Sequence, residues 1–476
     1  MPQNVFASAP RLHSVPPQAL EHIRSSLTQL RSTFETGRTR SYEWRAQQLA
    51  RLHALVAENE ERIIQVTHED VGKPPVDAWG AEVADVKNGL THLQKNLRRY
   101  MKPEKLPTPL ALQPGKSLIV REPLGVVLVI SAWNYPVALA LNPLAGALAA
   151  GNCAVLKPSE VAPRTSALLA ELIPKYLDIE AVHVIEGGVP ETTELLAQRF
   201  DHIFYTGSTA VGRIIMAAAA KHLTPVTLEL GGKSPCIIDQ HTDLAVAARR
   251  VAWGKFYTTG QTCVAPDYVL CHAAVHDAFV TQLVETVRQF WGDDPKASPD
   301  YGRVVNARHH QRLMGLLPGS GTVRCGGTGD EAERYIAPTV LTDVPVDSKV
   351  MGEEIFGPIL PVLKVDDLEA AIRFINERPK PLALYVFTSN ERSYEAVVNG
   401  TSSGGLVQNH ALVHLAVPAL PFGGVGDSGM GSYHGRMSFD TFSHRKSVLK
   451  KPTALDAPVL YPPYNESKKA WLKRLL

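Results

Sequence analysis

Apolar positions recur every three to four residues over 17–35 and again over 41–68, with mixed charge between them. That period predicts two amphipathic helices, each with one face for a core. The proline-punctuated stretch 106–113 reads as a connector and 116–122 as a strand. From Val126 the rhythm changes to short unbroken apolar runs separated by longer mixed segments. The runs 126–131, 154–157, 182–186, 202–205 and 226–230 read as strands. Helices fall near 143–150, from 163 onward, near 192–199 and over 210–221. A strand that is apolar without alternation is covered on both faces, as in a parallel sheet. A second set follows Gly232, with strands at 236–239 and 268–271 and helices over 244–257 and 274–291. Such alternation predicts α/β architecture, here two doubly wound units that meet near 229–233. The glycine-rich stretch 315–329 reads as a surface turn system, and no solenoid-type repeat is present.

Composition narrows the class. The chain has 476 residues, 45% hydrophobic and 20% charged, which is ordinary for a globular enzyme. Lys plus Arg is 49 and Asp plus Glu is 47, so the net charge of +2 gives no support to nucleic-acid binding. Cys153, Cys236, Cys263, Cys271 and Cys325 form an odd set without a C-x-x-C pair. That argues against a disulfide framework and against a zinc site, and fits a reducing compartment such as the cytoplasm. The first residues lack the basic-then-apolar pattern of a secretory signal. The charge-free stretch 126–156 is long enough to span a bilayer. Asn134, Pro136, Asn142, Pro143, Gly146, Gly151 and Asn152 interrupt it, so a buried strand, helix and strand explain it better. The basic segment 466–476 carries one Trp and reads as a short amphipathic helix that packs on the protein's own body rather than on a membrane.

Two residues offer chemistry. Cys263 sits in Tyr257-Thr-Thr-Gly-Gln-Thr-Cys263-Val-Ala-Pro266, thirty-four residues after Glu229 in Thr227-Leu-Glu229-Leu-Gly-Gly-Lys-Ser-Pro235. A thiol is nucleophilic only as thiolate, and a nearby base supplies that state. Taken singly, Cys263 reads as a buried small hydrophobe and Glu229 as a solvated acid. A glycine turn, Tyr205-Thr206-Gly207-Ser208-Thr-Ala-Val-Gly212, follows a predicted strand and opens a predicted helix, where backbone amides favour a phosphate. Its spacing departs from G-x-G-x-x-G, so on spacing alone it is balanced against an ordinary strand–helix turn.

Four segments in order resemble the aldehyde dehydrogenase superfamily. They are Glu229-Leu-Gly-Gly-Lys-Ser-Pro235, Gly260-Gln-Thr-Cys263, Glu353-Glu354-Ile-Phe356-Gly-Pro358, and the run from Leu420 to Gly435 with its sequel Phe439 to Arg445. The last resembles the class 3 branch. The resemblance implies that Cys263 is the nucleophile, Glu229 the general base and Asn134 the side-chain amide that steadies the oxyanion. It implies a dinucleotide held by Lys157, Glu160, Thr206, Gly207, Ser208, Gly212, Leu230, Gly231, Glu354 and Phe356. A carboxylate at Glu160 favours NAD by repelling a 2′-phosphate, while Lys157 offsets this and leaves NADP open. Tyr135, His410 and His414, with Leu412, Val413, Leu415 and Val417, are the candidate substrate residues.

The branch implies medium- or long-chain aliphatic or aromatic aldehydes, and a homodimer. The implied division is 1–103 with 124–230 for the cofactor, 231–427 for catalysis, 104–123 with 444–452 as an oligomerisation arm, and 453–476 as a tail. Rival readings are an acylating relative that releases the thioester to coenzyme A, a non-catalytic protein of this fold, and a thiol hydrolase. Glu229 speaks against the first, because acyl transfer to coenzyme A needs no hydrolytic base. Asn134, Glu229, Cys263 and Glu354 together weigh against the second. The third wants a Cys–His–Asn or Cys–His–Asp order that is not evident among the 17 His.

Overall fold

A computed structural model describes residues 17–454 and 456–475 of the chain. The predicted signal-free N-terminus and the start of the 1–103 segment lie outside the described residues. Two open sheets form the body. The first has six strands in the spatial order Gly429–Met430, Val226–Glu229, His202–Thr206, Val126–Ile130, Cys153–Lys157, Val182–Val184. Only the edge strand Gly429–Met430 runs antiparallel to its neighbour. The second has seven, in the order Thr322–Cys325, Thr339–Thr342, Ile359–Val365, Tyr268–His272, Pro235–Ile238, Ala383–Phe387, Gly405–Gln408. There the antiparallel edge is Thr322–Cys325. A three-stranded antiparallel sheet joins Glu104–Leu106, Lys116–Pro123 and Ser443–Lys450. The α/β class with two doubly wound sheets is therefore the observed one.

The central strand Val126–Ile130 is buried along its whole length, which is why it shows no polar alternation. The charge-free stretch is strand, helix and strand, and no described helix is long and apolar enough to cross a membrane.

Three expectations need correction. The segment 41–68 is two helices, Tyr42–Glu58 and Glu60–Val71, because Asn59 leaves helical geometry at φ −118° and ψ 22°. Its amide donates instead to Leu55 O at 2.9 Å and to the Tyr176 hydroxyl at 3.2 Å. The turn system 315–329 contains the edge strand Thr322–Cys325, short and bulged, which period counting between glycines does not detect. The helix placed near 143–150 begins five residues earlier, at Ala138, with Pro143 inside it.

That early start has a cause elsewhere in the chain. The buried carboxylate of Glu82 accepts hydrogen bonds from the Val137 and Ala138 amides at 3.0 and 2.8 Å. It thus supplies the helix with partners for two of its otherwise unbonded N–H groups. Glu82 is also ion-paired with Lys73, and neither side chain has any exposure. The Lys73 ammonium lies 3.7 Å from the ring centroid of Tyr135. Burial pulls the Lys73 amine down, and the Glu82 charge opposes that shift. Removing one member strands the other in a dry core. Glu82→Ala is expected to cost about 3–5 kcal/mol in denaturant unfolding. The double variant Glu82→Gln with Lys73→Met should recover most of that loss.

Candidate active site

Four adjacent parallel strands end at one cleft of about 610 Å³. Ile130 leads into Ser131, Trp133 and Asn134; Lys157 leads to Glu160; Thr206 leads to Gly207 and Ser208; Glu229 leads to Leu230 and Gly231. Ligand sites of open α/β sheets lie at this edge, beyond the carboxyl ends of the strands. From the other side, Cys263, Arg308, His309, Arg312, Glu354 and Phe356 close the cleft.

One end is built for an anionic, partly apolar ligand. The helix Thr209–Ala220 points its N-terminus at the cleft, and the Ser208 hydroxyl accepts from the Val211 amide at 3.4 Å. A Cβ on Gly207 would lie 2.1 Å from the Tyr205 hydroxyl oxygen, so any larger residue would have to displace that ring. Gly231 is equally constrained, with a carboxylate oxygen of Glu354 2.1 Å from any added Cβ. Val189, Leu196, Val211 and Ile214 supply an apolar wall. The Lys157 ammonium donates to Pro158 O at 2.8 Å and to Glu160 at 2.9 Å. Burial raises the Glu160 carboxyl, but the bond and charge from Lys157 outweigh it and hold the group below its ordinary range. A glycine turn, a helix N-terminus and a carboxylate at the neighbouring strand end fit a nicotinamide dinucleotide.

The other end holds Cys263 on a strained loop. Thr258, Thr259 and Gly260 are consecutive left-handed residues, at φ 50°, 56° and 71°. Such geometry in threonine is costly and is retained at sites where position matters. The loop is held from both sides. Gln261 donates to Thr258 O and Arg303 O and accepts from the Val305 amide. Gly260 packs so close to Gly357 that an added Cβ would meet Gly357 O at 2.3 Å. Asn134 donates to Gln261 O at 3.1 Å, which ties its amide to the segment carrying Cys263.

The electrostatics is unusual. Both carboxyl oxygens of Glu229 are buried without a hydrogen-bond partner, and burial raises its pKa well above the usual carboxylate range. Glu354 is pushed up to about 8 by burial and by the Asp267 carboxylate, against the pull of the Gly232 amide, Lys233 and Arg312. Burial, then the charges of Glu354 and Glu229, raise the Cys263 thiol above its ordinary value.

Residues 7–448 match the aldehyde dehydrogenase family. The chain belongs to that family. Mouse aldehyde dehydrogenase family 3 member A2 is 51% identical over 456 residues, covering 95% of this chain and 94% of that protein. The rat protein named aldehyde dehydrogenase, dimeric NADP-preferring, is 53% identical over 432 residues, covering 91% and 95%. A structure described as the substrate-bound state of Staphylococcus aureus AldH superposes with a TM-score of 0.93 at 45% identity, covering 95% of this chain and 99% of that one. The chain is an NAD(P)-dependent aldehyde dehydrogenase of the class 3 type.

In this aldehyde dehydrogenase the cleft brings together Asn134, Lys157, Glu160, Thr206, Gly207, Ser208, Glu229, Leu230, Gly231, Cys263, Glu354 and Phe356. Gly212, Tyr135, His410 and His414 do not line it. Gly212 serves packing, since a Cβ there would meet Leu230 at 2.8 Å. The Tyr135 hydroxyl bonds to Thr262 Oγ1 at 2.5 Å, behind the nucleophile. His410 lies edge-on to Trp253, with its Nδ1 2.9 Å from Ala411 O. His414 is packed beside Tyr385 and Phe422 with neither ring nitrogen bonded, and burial pulls it down to about 4. Sequence reasoning missed Trp133, Arg308, His309 and Arg312. The signal was present as a basic run behind the helix cap Asn306. His309 rests against Trp133 at 5.2 Å, and Trp133 against Phe356 at 5.4 Å.

The raised Glu229 carboxyl has a consequence for stability. The folded chain keeps that proton at pH values where the unfolded chain, at about 4.3, has lost it. The contribution is therefore full below that value and is lost as pH rises through the folded one. Glu229→Gln has no such proton. Its melting temperature relative to the parent should climb as pH is raised from about 5 to about 9. A constant difference across that range would contradict the buried, proton-holding carboxyl.

Proposed function

We propose that this enzyme oxidises an aldehyde to the carboxylic acid through a covalent adduct on Cys263 that Glu229-activated water hydrolyses. The observation that carries this reading is the Glu229 carboxyl, buried without a partner in the same cleft as a partly exposed thiol. An unsolvated carboxylate is a strong base, and a base of raised pKa suits proton abstraction near neutral pH. In its ionised fraction Glu229 takes the proton from the thiol, and the thiolate attacks the carbonyl carbon. The C=O electrons move to oxygen and form the alkoxide of a thiohemiacetal. One N–H of Asn134 is engaged by Gln261 O, and its other N–H is free for that oxygen, beside the Cys263 amide. Donors fixed in place before charge develops lower the barrier by several kcal/mol. The bound dinucleotide supplies the hydride acceptor that turns the adduct into a thioester. Once Glu229 has released the thiol proton to solvent, it accepts a proton from water, the hydroxide adds to the thioester, and the C–S bond breaks to release the acid and the thiolate.

Lys157, Glu160, Gly207, Ser208, Glu354 and Phe356 are the residues assigned to the dinucleotide. NAD is the expected cofactor because Glu160 keeps its charge, and Lys157 leaves room for NADP. The substrate class follows the class 3 likeness: medium- or long-chain aliphatic or aromatic aldehydes. The functional unit is a homodimer, assembled through the arm formed by Lys116–Pro123 and Ser443–Lys450. Residues up to 230 and 231–427 divide into cofactor and catalytic parts.

Purified enzyme with NAD or NADP and an aldehyde series, without coenzyme A, should form reduced cofactor and carboxylic acid together. A requirement for coenzyme A would overturn the hydrolytic reading. Cys263→Ser should lose turnover while binding NAD within a few-fold of the parent. Glu229→Gln should lower kcat by about 10²–10⁴-fold, with the acyl adduct visible in the intact mass of the protein.

A further inference from the structure

Three cations line the cofactor cleft: Lys157, Arg308 and Arg312. Two of them are already committed. The Lys157 side chain is buried, and its ammonium donates to Pro158 O at 2.8 Å and to Glu160 at 2.9 Å. Arg312 donates to the Glu353 carboxylate at 2.8 Å and to the carbonyl oxygens of Glu354 and Ile355. Arg308 is different. It is exposed, and among the described residues its guanidinium has neither an ion pair nor a hydrogen bond. Its backbone is nevertheless fixed. It is the second residue of the helix Ala307–Met314, where the Asn306 side chain accepts from the His309 amide at 3.0 Å.

The two arginines serve different ends of the cleft. The charge of Arg312 acts on Glu354, and that of Arg308 acts on Glu160. His309 stands between them, against Trp133. Burial and then the charges of Arg312 and Arg308 pull it down to about 4, so it adds no cation near neutral pH. Glu160 is half exposed and lies beyond the strand Cys153–Lys157, on the side of the cleft walled by Val189, Thr192 and Thr193. A carboxylate in that place accepts from ribose hydroxyls and repels a 2′-phosphate. Lys157 cannot turn to such a phosphate without leaving Glu160 unpaired. A guanidinium offers a planar fork of donors that matches phosphate oxygens, and Arg308 is the one whose donors are unused.

We propose that Arg308 is the residue through which the enzyme accepts NADP: its guanidinium pairs with the 2′-phosphate and offsets the repulsion from Glu160. NAD, which lacks that phosphate, meets Glu160 without needing Arg308. This rests on the assignment of the cleft to a nicotinamide dinucleotide and names the residue that decides between its two forms.

Calorimetric titration of NAD and of NADP into the enzyme without aldehyde reads binding alone. The parent should bind both. In Arg308→Gln the ratio of NADP affinity to NAD affinity should fall about tenfold, as for loss of a charge-assisted contact. Arg308→Lys keeps the charge without the fork and should retain part of that ratio. Adenosine 2′,5′-bisphosphate and adenosine 5′-monophosphate differ only in the 2′-phosphate and carry no pyrophosphate or nicotinamide. Their affinity ratio should fall in Arg308→Gln by the same factor. A parallel loss for NAD and NADP would put Arg308 on the pyrophosphate they share, and an unchanged ratio would put it on neither. Either result would overturn the proposal, as would a parent that binds NAD but not NADP. A parent that binds neither cofactor would instead strike the dinucleotide reading itself.

Discussion

The buried pair Lys73–Glu82 is the constraint on which the active centre hangs. Glu82 spends its two oxygens on three partners at once: the ammonium and the two amides that open the helix Ala138–Ala150. That helix is buried on nearly every face and packs under the first sheet and under the helix Gly435–Thr441. Gly146 permits the second contact, since a Cβ there would meet Ser438 O at 2.8 Å. The four residues before the helix include Asn134 and Tyr135. A shift of the helix start would move the Asn134 amide, and a few tenths of an ångström matter for a donor that must meet a developing oxyanion. Lys73 meanwhile presses on the face of Tyr135, whose hydroxyl meets Thr262 beside the nucleophile. One ion pair therefore sets both the Asn134 amide, the proposed oxyanion donor, and the ring of Tyr135 beside the loop that carries Cys263.

The centre itself is an exercise in burying acids. The charges of Glu229 and Glu354 both act on Cys263, and neither Glu229 oxygen has a hydrogen-bond partner. Burial raises each carboxyl, and burial together with the charges of the two carboxyls raises the thiol. The strain in Thr258–Gly260 belongs to the same design. Left-handed threonines persist only where surrounding contacts over-determine them, and here Gln261 and Gly357 do so. The energy stored there is offset by the large apolar core of the two sheets, to which the loop is anchored through Tyr385 and its bond to Val264 O.

The alternation of strands and helices was legible because parallel strands buried on both faces leave unbroken apolar runs, as at Val126–Ile130. The break at Asn59 was not, since a side chain that bonds its own helix backbone leaves the apolar period intact on either side. The start of the helix at Ala138 was hidden for a different reason: its cap comes from Glu82, more than fifty residues away. Cys263, Glu229 and Asn134 were legible from motifs, and all three line one cleft. Arg308, His309 and Arg312 were not, because basic residues in a capped helix read as a solvated face until the fold turns that face inward. Tyr135, His410 and His414 illustrate the converse. Polar aromatic residues near a motif suggest a substrate entrance, yet here they are consumed by packing and by bonds to the backbone and to Thr262.

The same burial explains two properties that seem opposed. A raised thiol is poorly nucleophilic at rest, which protects Cys263 from oxidation and alkylation, because attack on oxidants runs through the thiolate. A raised, unpartnered carboxyl is a strong base for the same reason that the thiol is a weak acid. Whenever Glu229 is ionised, moving the proton to it from Cys263 exchanges one anion for another, so the transfer adds no net charge to the dry cleft. Solvating either group would remove the balance: a hydrated Glu229 would be a weaker base, and a hydrated thiol would be reactive without substrate. The absence of a hydrogen-bond partner for Glu229 is thus the feature that, in the proposed mechanism, couples protection of the Cys263 thiol to its activation, and it requires the apolar strand Val226–Glu229 to deliver the carboxyl into the cleft.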